Sequence, residues 1–148
     1  MMEFWGDMGD IIALTTATTD VDLPNVVVAD IPSGATINRV IGMLRMRALN
    51  NTAAVVNAIN GAAVINVKKS TGTWGVDDVA LINIPDNIWS TAASTKEGGM
   101  LIEGDNDVAS EVDGNGTYNL RFNGNVFVDA NNLELVDVDV GLKVYFTA

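Results

Sequence analysis

The chain has 148 residues, 48% of them hydrophobic and 18% charged, with a net charge of -11 from 8 basic and 19 acidic side chains. That is the size of one domain with room for a core, and it is too apolar for a disordered tail or a solenoid of charged helices. Cysteine and histidine are both absent, which removes disulfides, thiol nucleophiles, Cys/His zinc sites and every Ser-His or Cys-His catalytic arrangement.

In chain order, the opening "MMEFWGDMGDII" carries acids where a secretory signal carries Lys or Arg, so none is expected. Residues 1–23 are read as an N-terminal arm on the single domain 1–148. "TINRVIGMLRMRA", residues 36–48, has a β-branched start and a Leu/Met/Arg/Ala run that also suits a helix. It is read as a long strand with both faces partly buried. Asn60-Gly61 joins "AAVVNAI" to "AAVINVKK" as a hairpin turn, because both residues tolerate positive φ. "KKSTGTWG", residues 68–75, lacks the glycines before its Lys-Ser that a phosphate loop needs, and reads as a loop with Trp74 at its exit. "GVDDVALINIP" suggests a short strand ending at Pro85; "DNIWSTAASTKEGG" and "NDVASEV" each suit a helical turn or a loop. "TYNLRF" alternates Tyr118, Leu120 and Phe122 against Thr117, Asn119 and Arg121, and Asn123-Gly124 follows as a second hairpin signal. In "VDVDVGLKVYF" the residues Val136 to Phe146 alternate with period two, giving one apolar face. Recurrent turn signals without capped amphipathic runs predict an all-β chain: a single antiparallel β-sandwich.

Three groups of residues are candidates for chemistry. Asp105, Asp107 and Glu111 have the oxygen ligands for calcium, but Ala109 and Ser110 stand where an EF-hand needs a ligand and glycine. The simpler reading of "GDND" is a turn and cap made by Asp and Asn side chains, so no metal and no cofactor is expected. Nineteen acids supply carboxylate pairs everywhere, so pairing alone does not argue for a glycosidase. Trp5, Trp74 and Trp89 sit near turn-like stretches and outside the alternating strands, and are read as buried caps or interface residues ahead of ligand platforms. Between Glu97 and Asp139 the only basic residue is Arg121, a surface that repels phosphate backbones and argues against nucleic acid. No apolar run approaches the roughly 20 residues that span a bilayer.

Taken whole, the order of segments carries a resemblance. Trp5 is followed by "DVDLPNVVVADIPSGATINRVIGMLRMRALNNT", then "NAINGAAVINVKKSTGTWG", "STKEGGMLIEGDNDVASEV", "GTYNLRF" and "LELVDVDVGLKVYF". This resembles small structural proteins of tailed phages and related viruses, jelly-roll-like domains that decorate capsids or form minor virion parts. The resemblance implies a jelly-roll sandwich without catalysis, made in the host cytoplasm and placed on the capsid surface of the virion. It implies self-association, with a trimer as one form, and docking on a major capsid protein or another virion protein. The alternative from the residues themselves is a carbohydrate- or surface-binding β-sandwich module using Trp74, Trp89 and the acids at 105–111 with calcium.

Overall fold

The computed structural model describes residues 1–7, 12–14, 20–50, 63–84, 100–123 and 133–148. The Asn60-Gly61 turn, Trp89 and the stretch 86–99 lie outside them, as does Gly124. Nine strands are described: β1 (Met2–Asp7), β2 (Ile12–Leu14), β3 (Asp20–Val28), β4 (Thr36–Asn50), β5 (Ala63–Lys69), β6 (Val79–Ile84), β7 (Met100–Glu103), β8 (Gly116–Asn123) and β9 (Leu133–Thr147). All pair antiparallel, in one sheet ordered β1-β9-β4-β7 and a second ordered β3-β8-β5-β6. β2 continues the line of β1 along β9, pairing Ile12 with Leu135 after Asp7 has paired with Asp139.

Counting β1 and β2 as one interrupted strand, first pairs with last, second with seventh, third with sixth and fourth with fifth. This nested order, a long hairpin wrapped into two facing sheets, is that of a jelly roll. The fold class is therefore an antiparallel β-sandwich.

Alternation explains the core. From the first sheet Val40, Leu44, Met46, Val138, Val140, Leu142 and Val144 face inward; from the second Leu23, Val26, Val28, Ile65, Val67, Ile84, Tyr118, Leu120 and Phe122 meet them. Each such side chain contributes on the order of 1.5–3 kcal/mol by leaving water. The residues Val40 to Leu44 are all buried, so the period-two signal is lost there and the mixed composition of that segment is accounted for. Along β9 the alternation is broken at Asp137, which takes φ 52° where the β4 register shifts between Arg45 and Arg47. There β9 spends two residues against one, a β-bulge. A second bulge on β6 leaves Leu81 unmatched between the Ile65–Ile82 and Asn66–Ala80 pairs. Leu81 and Ile82 consequently both reach the interior, against Gly42.

The connections β3–β4, β5–β6 and β7–β8 meet at one end of the sandwich. Ser70 N–H donates to Thr117 O (3.0 Å), and Asn115 makes a two-way bridge to Ile31, accepting its N–H (3.0 Å) and donating to its carbonyl (3.1 Å). "NDVASEV" forms a turn in which the Glu111 and Val112 N–H groups both donate to Val108 O, at 3.0 and 2.9 Å. Val108 and Val112 close the core at this end.

Candidate functional site

The acids at 105–111 serve the backbone. Asp107 Oδ1 accepts from Val40 N–H (3.0 Å) and from Ala109 N–H (3.1 Å), and Glu111 Oε1 accepts from Lys69 N–H (2.6 Å). Each satisfies amides the ladders leave over, Asp107 on β4 and Glu111 on β5, while Asp105 is exposed. Among the described residues no three His, Cys, Asp or Glu side chains gather to hold a metal ion.

Beside this turn, Lys69 Nζ bonds Asp113 (2.8 Å), which raises the Lys69 pKa. The bond to Glu103 raises that of Lys143, and burial raises that of Tyr118, whose hydroxyl donates to Gly114 O (2.8 Å). All three hold their protons more tightly folded than unfolded. The stability they contribute is complete below about pH 10 and is lost as pH rises through the folded values. The expected result is a melting temperature that declines above about pH 10, less steeply in Tyr118→Phe. An identical alkaline decline in the variant would remove Tyr118 from this account.

Trp5 and Trp74 lie on opposite outer faces. Trp5 is inside strand β1, contrary to its expected place near a turn; the short alternation "MEFW", with Met2 and Phe4 toward the core and Glu3 and Trp5 exposed, hid an edge strand beside an acidic stretch. On the outer face of the first sheet one row runs Trp5, Gly141, Met43, Glu103, and the next Asp139, Arg45, Leu101. Trp5 lies flat enough on β9 that a Cβ at Gly141 would come within 2.8 Å of its ring. The Arg45 guanidinium stands 5.2 Å from the Trp5 centroid and its Nε donates to Asp139 (2.9 Å). Lys143 bonds Glu103 and lies 3.5 Å from Glu3. Trp5 is 38% exposed and Leu101 64%, while Ile41 and Met43, on the same face, are buried.

Trp74 belongs to the β5–β6 loop, over the outer face of the second sheet. Lys68 Nζ is 4.9 Å and Arg121 Cζ 4.3 Å from its centroid. Lys68 is buried, and its ammonium donates to the carbonyls of Gly72 (2.9 Å) and Lys69 (3.3 Å). Arg121 Nε donates to Asp22 (2.7 Å), with Asp20 at 3.7 Å. Asn66 donates to Asp78 (2.6 Å), and the Asp77 and Asp78 carboxylates accept from Thr73 and Gly75 N–H. Sequence reasoning missed Lys68, Arg121, Asp22, Asn66 and, beside Lys68 on β8, Asn119. Their outward positions on alternating strands were readable, but their meeting depends on the β3–β8–β5 register.

No family model, curated protein or solved structure matches this chain.

Proposed function

We propose that this chain is a non-enzymatic structural protein of a virion, a homo-oligomer that decorates or cements a capsid by docking on a major capsid protein or another virion protein. The observation that carries this reading is the outer face of the first sheet, where Trp5, Arg45 and the exposed Leu101 stand together on neighbouring strands. Trp and Arg are the side chains that most often dominate protein interfaces. Arg45 and Lys143 of this face are paired with Asp139, Glu103 and Glu3, so a chain of net charge -11 can approach another acidic surface here with less repulsion than elsewhere. The nested strand order is compatible, being shared by capsid domains, lectins and cupins.

Sedimentation of native particles through a density gradient tests the reading. The expected result is co-migration with capsids, released by denaturant. Trp5→Ala and Arg45→Glu are expected to weaken retention by about 2 kcal/mol or more, as hot-spot truncations do; Leu101→Ser, which touches less of the fold, checks that release is not unfolding. Protein that stays at the top of the gradient would sink the proposal.

A further inference from the structure

The outer face of the second sheet has a different chemistry. Asn66 Oδ1 and Asn119 Oδ1 are both shut off from solvent without a hydrogen-bond partner. The ladder pairs Asn66 with Arg121 and Lys68 with Asn119, so the two amides stand diagonally across β5 and β8 in the patch beneath the Trp74 loop. Buried polar atoms without partners are rare in native proteins and ask what fills the gap. Both atoms are acceptors, so what is missing is a donor. Lys68 directs hydrogen bonds to Gly72 and Lys69 carbonyls, and Arg121 to Asp22.

We infer that this patch, built from Trp74, Arg121, Asp22, Asn119 and Asn66, is a binding site for a neutral saccharide. Vicinal hydroxyls both donate and accept, which suits a carboxylate, a guanidinium and two amides set side by side. The C–H face of a pyranose suits an aromatic ring that is half-buried and held by cations. An anion is disfavoured: Arg121 is already compensated by Asp20 and Asp22, and Lys68 is out of reach of solvent. Asp22 has a side chain 69% exposed against 25% for Arg121, so its carboxylate is the more open member of the pair to a sugar hydroxyl. The Asn119 oxygen is closed to solvent in the unliganded chain, so a sugar hydroxyl engages it as the side chains over it move aside.

The site uses none of the acids at 105–111, so binding is independent of calcium. It lies on the face opposite Trp5 and does not rest on capsid docking.

The test is titration of the isotope-labelled chain with cellopentaose, xylopentaose, maltopentaose, mannopentaose and chitopentaose, followed by NMR. The Trp74 indole N–H is assigned through Trp74→Phe. The expected result is a saturable shift of the Trp74 indole and the Asn119 side-chain amide with at least one of these sugars, unchanged by EDTA. Asp22→Asn and Asn119→Ala are expected to weaken that sugar by about tenfold each. Asp22 is exposed, so its variant keeps the fold and separates lost recognition from unfolding. The proposal is overturned if none of the five sugars moves these resonances. It is equally overturned if binding survives Asp22→Asn and Trp74→Phe undiminished, or if EDTA abolishes it.

Discussion

Truncating Phe122 to alanine is expected to lower the unfolding free energy by about 3–5 kcal/mol. Among the described residues Phe122 is the largest fully buried side chain, placed on β8 between Val21 of β3 and Ile65 of β5. Its removal takes away transfer energy and leaves a ring-sized cavity that strands pinned on both sides cannot collapse into. Stability of a domain this size lies around 5–15 kcal/mol in total, so the loss is a large share. At roughly 2–4 °C per kcal/mol the melting temperature should drop by about 10 °C. A loss under about 1 kcal/mol by urea titration would mean that the second sheet does not pack as described.

Adding a single methyl at Gly42 should be nearly as damaging, for the opposite reason. A Cβ there would come to 2.5 Å from both Leu81 Cγ and Ile82 Cγ1 and 2.9 Å from Ile82 Cδ1, distances at which side chains or the sheets themselves must shift. Overpacking of this kind costs about 1–3 kcal/mol and at times more; with two branched side chains in the way, the upper end is expected for Gly42→Ala. The mechanism has its own signature. Leu81→Ala alone should cost about 2–5 kcal/mol, but the double variant Gly42→Ala/Leu81→Ala should lose less than the two single losses added, because the second change makes room for the first. Strict additivity would show that the penalty at Gly42 comes from backbone effects and not from the clash with β6.

The parts of this fold that local sequence displays were readable, and the parts decided by register were not. "TYNLRF" and the body of "VDVDVGLKVYF" announce strands because every second residue is apolar and buried. The 36–48 segment, ambiguous between helix and strand, proved to be β4, whose central run is covered on both faces. The acidic stretch was legible in kind, as turn chemistry. Its particular donors were not, since Asp107 reaches Val40 across 67 residues and Glu111 reaches Lys69 across 42. Similarly Trp74 was placed in its loop, yet nothing near it in the chain names Arg121 as a neighbour. The bulges at Asp137 and Leu81 also escaped, because a bulge adds one residue without changing the composition around it.

The nested strand order has a consequence for how the chain is made. The fourth and fifth strands, β5 and β6, are the pair closest in sequence among those that face each other, and every further pair encloses them: β4 with β7, β3 with β8, β1 with β9. Closing each outer pair means joining ends of a longer loop, which slows folding even when the final contacts are strong. β9 also lies between β1 and β4 in the first sheet. A ribosome therefore displays β1 and β4 long before the strand that bonds both exists, with their edges open to neighbours. Synthesis of this protein in quantity is a race between completing one chain and cross-pairing several, and slower translation or a holding chaperone should favour the first.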